Sequence, residues 1–346
     1  SSSAASDVYK RQEMMLWGKL NLTLDYYWER RKDILIQRSS LPSMAGFDAS
    51  IYANMGEMDN KGVDANLEYQ TRIGNKVGLR LFGNLTYSKN KIVFRDEPAM
   101  QYAYQKSEGT RYGEFYGYIA EGYFQSEEEI KKSPRQMREL APGDIKYKDL
   151  NDDGVIDAND QCYLGKSWFP SWSYGMGFNI NYHNFDLALF FQGVSDVSIM
   201  ANGGSIDTGN GDWGASGVGI VPFTGMGLNP SNVITKALDR WTADNPRADA
   251  WYPRMTANAT TNDNNYVNST HWLKDGSYLR LKQASLGYTL ENKKLMDKGI
   301  EYLYFYLSGQ NLLTFSKFKL WDPELGSNGA KYPLSRMVTL GMRVSF

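Results

Sequence analysis

The sequence predicts an all-β fold, an antiparallel up-and-down transmembrane β-barrel segment of about eight strands with long extracellular loops. Polar and apolar residues alternate strictly over many short segments, short turns alternate with long connections, and aromatic residues end the apolar faces. Strands of a membrane barrel show this pattern because one face contacts lipid and the other lines an aqueous interior.

The alternation is clearest over residues 172–182, where Trp, Tyr, Met, Phe and Ile take the even positions and Ser, Gly and Asn the odd ones. Residues 338–346 repeat it up to the terminal Phe346. The phase of the pattern slips near Lys282–Gln283, which predicts a β-bulge there. We predict strands near residues 14–36, 62–73, 76–92, 171–183, 185–196, 277–290, 301–314 and 336–346.

The connections between these strands are of two kinds. Gly74-Asn75, His183-Asn184 and residues 291–300 predict short turns, and strands that run up and down in order place all of them on one side. The other side receives the long connections 37–61, 89–171, 194–276 and 314–335. A soluble β-sandwich also has alternating strands, but its loops are compact, so the loop asymmetry favours the barrel.

The amino-acid composition excludes several classes of partner and site. The net charge of −1 over 346 residues gives no basic stripe, so no nucleic-acid partner is expected. The single Cys162 excludes an internal disulfide and a cysteine-rich zinc site. Residues 1–12 carry neither a signal peptide nor period-2 alternation, and we interpret them as a non-native or disordered leader before a barrel domain at 13–346.

Six segments of the chain carry distinctive motifs: GFDASIYANMGEMDNKGVDANLEY (46–69), PGDIKYKDLNDDGVIDANDQ (142–161), RWTADNPRADAWYPRM (240–255), SYLRLKQASLGYTL (277–290), SGQNLLTF (308–315) and MRVSF (342–346). In this order they resemble the SusC/RagA family of TonB-linked outer-membrane transporters, and the resemblance covers nearly everything from about residue 14 onward.

The resemblance implies the C-terminal barrel portion of a TonB-dependent receptor, a barrel of about 22 strands with an N-terminal plug. It implies residence in the cell outer membrane, contact with outer-membrane lipid, a SusD-like lipoprotein partner and energy from the TonB system through an N-terminal region. It further implies a large glycan or a peptide as the substrate class, as for carbohydrate-uptake transporters of the Bacteroidetes-like type. Lys319-Leu320-Trp321 departs from the family, which often has a glycine there.

An acidic loop at 149–160 is the sharpest candidate site. If Asp149 is position 1 of the loop, oxygen-bearing side chains occupy positions 1, 3, 5, 9 and 12, and Gly154 occupies position 6. The backbone carbonyl of position 7 is also available, and Ile156 at position 8 is expected to point inward. This spacing suits a structural Ca²⁺, although Asp replaces the usual Glu at position 12 and no helices flank the loop. A solvated Asp/Asn turn is the alternative. The predicted metal ligands are Asp149, Asn151, Asp153, Val155, Asp157 and Asp160.

The other polar and aromatic residues suit binding surfaces and the lining of the lumen rather than catalysis. The loop tryptophans (Trp168, Trp213, Trp241, Trp251, Trp272 and Trp321) suit sugar stacking or lid contacts, but packing between loops is favoured for any one of them. Six charges are expected to line a wet lumen, namely Lys19, Asp25, Glu68, Arg72, Arg80 and Arg343.

No enzymatic motif appears, and His183 and His271 are expected to be solvated. The sequence therefore predicts outer-membrane nutrient import and no enzymatic activity. A secreted calcium-dependent carbohydrate-binding β protein is the alternative.

Overall fold

A computed structural model describes residues 5–40, 51–74, 76–202, 234–256, 264–327, 329 and 331–346. The predicted turn residue Asn75, Trp213 and parts of the long connections lie outside these residues. Most of the described chain belongs to one large antiparallel sheet, and a second body is built from the long connections.

The large sheet contains nine strands that pair in chain order. They are β1 (Ala5–Leu16), β2 (Leu20–Gln37), β3 (Tyr52–Ile73), β4 (Val77–Phe94), β9 (Trp172–Tyr182), β10 (Phe185–Ser195), β13 (Tyr278–Leu290), β14 (Tyr302–Ser316) and β15 (Met337–Ser345). This up-and-down order confirms the predicted barrel architecture. The strands alternate between two faces because their side chains have a period of two.

The prediction of one first strand near 14–36 was wrong. Trp17 and Gly18 both have positive φ, and the Lys19 N–H donates to the Leu16 carbonyl at 3.1 Å, so the chain reverses. Residues on both sides of this turn then pair as β1 and β2, which makes nine strands rather than eight. The predicted leader boundary at residue 12 falls inside β1; that residues 1–12 are foreign to the native chain stays a prediction.

Two local predictions about the sheet are confirmed. Phe190 pairs with Gln283 and Phe191 with Leu281, so Lys282 is the extra residue of a β-bulge. Tyr182 pairs with Phe185 across a two-residue turn, in which His183 has a φ of 53°.

The long connections contain their own short elements. Three two-stranded sheets pair β5 (Glu114–Gly117) with β8 (Cys162–Ser167), β6 (Ala120–Tyr123) with β7 (Ile145–Tyr147), and β11 (Ser198–Met200) with β12 (Leu273–Asp275). Helix α1 spans Glu127–Lys132, and α2 (Lys293–Met296) lies in the turn before β14. Short 3₁₀ turns occupy Ala103–Gln105, Ala158–Asp160, Thr235–Leu238 and Pro323–Leu325.

The hydrophobic core lies in this second body, which we call the loop assembly (residues 95–171, 196–202, 234–256 and 264–276). Trp272, Tyr252 and Ile145 are fully buried at its centre, among residues from the two long connections β4–β9 and β10–β13. The loop assembly therefore stands as a packed unit at the end of the sheet opposite the short turns. Among the helices of the described residues, none is long and apolar enough to cross a membrane.

Candidate functional site

One face of the large sheet exposes a continuous series of large apolar side chains. Leu340 is 81% exposed, and Leu286 and Leu307, its neighbours in the same row, are 48% and 47% exposed. Soluble monomers rarely expose an apolar surface of this extent, whereas a barrel presents one to lipid. The series continues across the strands through Leu24, Tyr26, Leu67, Leu81, Leu85, Met176, Phe185, Phe305, Val338 and Met342.

The opposite face of the sheet is polar. The Arg80 Nε lies 2.7 Å from a Glu68 carboxylate oxygen, and the guanidinium of Arg80 packs 4.9 Å from the ring of Phe82. The Tyr304 hydroxyl donates to Asp186 at 3.0 Å. Arg72 lines a polar hollow of about 370 Å³ beside Arg80. This distribution agrees with the predicted wet lumen, which carries charges that lipid would disfavour.

Buried polar groups fix the loop assembly. Asp144 is fully buried and accepts hydrogen bonds from Asn265 at 2.8 Å and from Arg254 at 2.9 Å. The Tyr147 hydroxyl donates to the Asn264 carbonyl at 2.7 Å. Buried polar groups are costly unless they are paired, so these bonds select one arrangement of the two long connections that supply them, β4–β9 and β10–β13. Burial raises the pKa of Tyr147, which keeps this hydroxyl a donor.

The acidic loop is a series of turns closed by its own side chains. The Asp149 carboxylate accepts the Gly154 N–H at 2.8 Å, and the Asp153 carboxylate accepts the Val155 N–H at 2.8 Å. Asp160 is fully buried, and its two oxygens accept the N–H groups of Leu150 and Asp157.

The remaining predicted ligands join the same series. Asn151 accepts the Asp153 N–H at 3.1 Å, and Asp157 accepts the Asn159 N–H at 2.7 Å. The structure thus places all six predicted ligands in one small loop. Ile156, 2% exposed, anchors the loop in the hydrophobic core, as predicted.

The fit of this loop to a metal ion is partial. Within the described residues, no three His, Cys, Asp or Glu side chains converge as a metal-binding group. One oxygen of Asp149, Oδ1, is nevertheless buried without a hydrogen-bond partner, which is costly for a carboxylate. A hard cation at this oxygen would satisfy it, and the neighbouring oxygens of Asn151 and Asp153 are of the type that Ca²⁺ prefers.

The loop tryptophans mostly have structural roles. Trp272 is fully buried and donates from Nε1 to the Asn265 carbonyl, and Trp241 is 6% exposed. Trp251 is half-buried against Tyr252 and Trp272. Trp321 packs on Phe318, while Trp168 stays 37% exposed beside Phe169. Packing between loops, rather than stacking on a ligand, accounts for Trp241 and Trp272.

The prediction that His271 is solvated was wrong. Its Nε2 lies 3.2 Å from the Trp251 carbonyl and 3.4 Å from the Tyr123 hydroxyl, and its ring packs edge-on against Trp272. Burial and the nearby Lys274 lower the pKa of His271 to about 3, so the ring is neutral at physiological pH. No sequence motif marks this residue, because two of its contacts, Tyr123 and Trp251, come from distant parts of the chain. His183 is exposed in its turn, as predicted.

Comparison with known proteins gives a consistent set of relatives, although no family model matches the chain. The chain is 27% identical over 357 residues to TonB-dependent receptor P3 of Formosa agariphila, covering 95% of this chain and 32% of that protein. It is 22% identical over 342 residues to the TonB-dependent receptor SusC of Bacteroides thetaiotaomicron, covering 95% of this chain and 30% of SusC. The chain thus spans about a third of the length of these curated relatives.

Solved structures show the same fold. The RagAB peptide importer in its open-open state superimposes with a TM-score of 0.73 at 23% identity, covering all of this chain and 35% of the other. Its closed-closed state gives a TM-score of 0.72. The names of these relatives are those of receptors and importers rather than enzymes, which agrees with the predicted absence of enzymatic activity.

Proposed function

We propose that the chain is the SusC/RagA-like barrel portion of a TonB-dependent receptor of the bacterial outer membrane, and that its parent protein imports nutrients across that membrane. The observation that supports this most directly is the exposed apolar face on strands whose other face is polar. That arrangement suits a wall between lipid and an aqueous passage. It favours the transporter over a secreted sugar-binding protein, which would gain nothing from a wide lipid-facing surface.

The finer parts of the proposal concern substrate and partners. We propose that the substrate is an oligosaccharide or a peptide, that a SusD-like lipoprotein covers the loop assembly, and that the TonB system supplies energy through an N-terminal region. One relative is named a peptide importer, which supports the peptide class, and the oligosaccharide class rests on the resemblance of the sequence to the SusC/RagA family. The loop assembly, packed around its own hydrophobic core at one end of the sheet, offers a surface to such a lid.

Uptake by cells tests the proposed import. The gene for the parent protein is deleted, and the strain is complemented with the intact gene or with one carrying an inactivated TonB-interacting segment. Fluorescent oligosaccharides and peptides are offered, and intracellular label is measured. Import predicts label only with the intact gene and for one substrate class. Equal uptake by all three strains would contradict the function.

We also propose that residues 149–160 bind a structural Ca²⁺ ion, held by Asp149, Asn151, Asp153, Asp157, Asp160 and the Val155 carbonyl. The unpartnered oxygen of Asp149 and the ligand spacing support it, while the hydrogen bonds already made by these carboxylates compete with the ion. The ion would order an exposed loop and perform no chemistry.

A further inference from the structure

A cleft of about 610 Å³ opens between the loop assembly and the connection that follows β14, away from the acidic loop. Most of its walls come from three separate segments: residues 235–239 around the 3₁₀ turn, strand β12, and residues 317–320 that follow β14; Trp251 completes the lining. All three belong to elements whose positions are fixed by the buried core or by the sheet. The cleft is therefore a preformed cavity of the size that small ligands occupy.

Positive charge dominates the lining of this cleft. Lys236, Lys274, Lys317 and Lys319 face only two carboxylates, those of Asp239 and Asp275. Both carboxylates already have partners: the Lys236 Nζ lies 2.7 Å from Asp239, and the Lys317 Nζ lies 3.9 Å from Asp275. Asp239 also accepts a hydrogen bond from Arg247. Two lysines, Lys274 and Lys319, thus remain without an ion pair among the described residues.

Lys274 is the less exposed of these two lysines. Its Nζ donates to the His271 carbonyl at 2.7 Å and lies 5.1 Å from the centre of the Trp251 ring. Burial and repulsion from Lys236 lower the pKa of Lys274 to about 8. A half-buried ammonium with only neutral partners is costly, and an anion in the cleft would offset that cost.

The apolar part of the lining indicates what accompanies the anionic group. Leu238 is 76% exposed at the cleft, and Leu320 also lines it. Trp251 is a poor platform for a sugar, because Lys274 lies over its ring while Tyr252 and Trp272 pack against it at 4.5 Å and 5.4 Å between ring centres. Aliphatic walls with unpaired ammonium groups suit an apolar side chain next to a carboxylate.

We propose that this cleft binds short acidic peptides, with Lys274 and Lys319 bonding a carboxylate and Leu238 and Leu320 contacting a neighbouring apolar side chain. The inference rests on the proposed import function, for which it names the substrate class. A saccharide acid and an acidic segment of a partner protein are the competing occupants, and the experiment separates them.

Direct binding tests the cleft without transport. The full-length parent protein, purified in detergent, is titrated by calorimetry with a hexapeptide of alternating Leu and Glu. The same sequence with Gln for Glu and an oligogalacturonate trimer serve as comparison ligands. The acidic peptide is expected to bind, and both comparison ligands are expected to bind at least tenfold more weakly. An equal affinity for the trimer would overturn the peptide assignment.

Variants connect binding to the cleft. Lys319→Gln, at an exposed position, and Lys274→Gln should each weaken peptide binding about tenfold, the effect of losing one charge-assisted hydrogen bond. Lys132→Gln, an exposed lysine of α1 outside the cleft, should bind like the wild type. If Lys274→Gln fails to fold, Lys319→Gln alone decides. Unchanged affinity in folded Lys319→Gln and Lys274→Gln proteins would overturn the proposal.

Two further measurements separate this inference from the proposed function. Peptide binding that persists in a protein whose cells show no uptake would count against import and leave the cleft assignment standing. If cells carrying Lys319→Gln or Lys274→Gln still import substrate, and the purified variants bind the peptide with wild-type affinity, the result would count against the cleft alone. Displacement of the co-purified lipoprotein by the peptide would assign the cleft to the partner and overturn a substrate role.

Discussion

The Arg280 guanidinium donates two hydrogen bonds to the Asp322 carboxylate, at 2.6 Å and 2.8 Å, although Arg280 is only 1% exposed. Arg280 belongs to β13, and Asp322 lies in the connection between β14 and β15. Glu324 completes the group by accepting from Arg280 at 3.2 Å and from the Tyr278 hydroxyl at 2.6 Å. These charged hydrogen bonds hold the β14–β15 connection against strand β13.

We predict that Asp322→Ala releases this connection. The substitution leaves a buried guanidinium with one carboxylate partner, at a cost of about 1.5–3 kcal/mol, the usual value of hydrogen bonds to charged groups. Hydrogen exchange of residues 318–327 in the full-length protein should become faster. Lys282→Gln, which removes a 3.9 Å contact to the same Glu324, is the matched control and should leave exchange unchanged. Identical exchange in both variants would show that the pair does not hold the connection.

A second prediction concerns glycines on the polar face of the sheet. The Tyr306 ring lies directly over Gly341, its cross-strand partner, so an added Cβ would overlap the ring. Gly341→Ala should lower stability by about 1–3 kcal/mol, as overpacking does. Gly78→Ala is the control, because its Cβ would meet Asn181 at an ordinary 3.7 Å.

The readout for the glycine pair is the temperature at which the parent barrel loses its heat-modifiable mobility on a denaturing gel. Gly341→Ala should unfold at a lower temperature than the wild type, and Gly78→Ala should not. A Gly341→Ala barrel as stable as the Gly78→Ala barrel would mean that Tyr306 rotates away at little cost.

Much of the sheet was predictable because its strands separate two media. Residues such as Leu340 and Gly341 must face opposite ways, and that requirement appears directly in the sequence. The loop assembly was not predictable, since its contacts join positions far apart: Tyr147 and Asn264 are separated by 117 positions. Strand β1 was missed because its residues do not alternate, and its pairing with β2 depends on the turn at Trp17.

The candidate sites also divide into one that local sequence identifies and others that depend on distant contacts. The acidic loop is local, so its spacing identified it, and Ile156 packs inward as expected. The proposed peptide-binding cleft is lined by Lys236, Lys274 and Lys319 from three different segments, and no local sequence pattern indicates that they lie close together. His271 was misassigned for the same reason, because Tyr123 and Trp251, which contact it, lie elsewhere in the chain.

His271 makes the stability of the loop assembly depend on pH. Its folded-state pKa of about 3 lies below the ordinary value of 6.5, so between these values the unfolded chain binds the proton more readily. Stability is therefore complete above pH 6.5 and is lost as the pH falls toward 3. At pH 4.5, two units below 6.5, the loss should be about 2.7 kcal/mol at most, from 1.36 kcal/mol per pKa unit.

Chemical denaturation of the parent protein, followed by tryptophan fluorescence at pH 7 and pH 4.5, measures this dependence. The wild type and a His183→Gln control, altered in an exposed turn, should lose stability in acid to the same extent. His271→Gln should lose less, because Gln does not titrate. An equal acid loss in all three proteins would assign the effect to other groups.

The last prediction is that Ca²⁺ binds residues 149–160 of the parent protein and orders the loop. Fixing the backbone of one residue costs about 1–2 kcal/mol in conformational entropy. A polar loop therefore needs strong contacts to offset this cost and stay ordered. The buried, unpartnered Oδ1 of Asp149 is one such contact for a cation. Because Asp160 already accepts two backbone N–H groups and reaches less far than Glu, we expect a modest Kd, on the order of 10⁻⁴–10⁻³ M.

Calorimetry with CaCl₂, with and without prior chelation, measures the affinity, and protease cleavage within the loop measures its order. Asp149→Ala and Asp153→Ala should abolish both the binding heat and the calcium-dependent protection. Asp152→Asn is the matched control: position 152 has a φ of 59°, which Asn tolerates well, and it is not among the predicted ligands. Binding heat that survives both alanine substitutions would place the ion elsewhere. No heat in the wild type would leave a turn held by its own hydrogen bonds, since the carboxylates of Asp149 and Asp153 already accept the N–H groups of Gly154 and Val155.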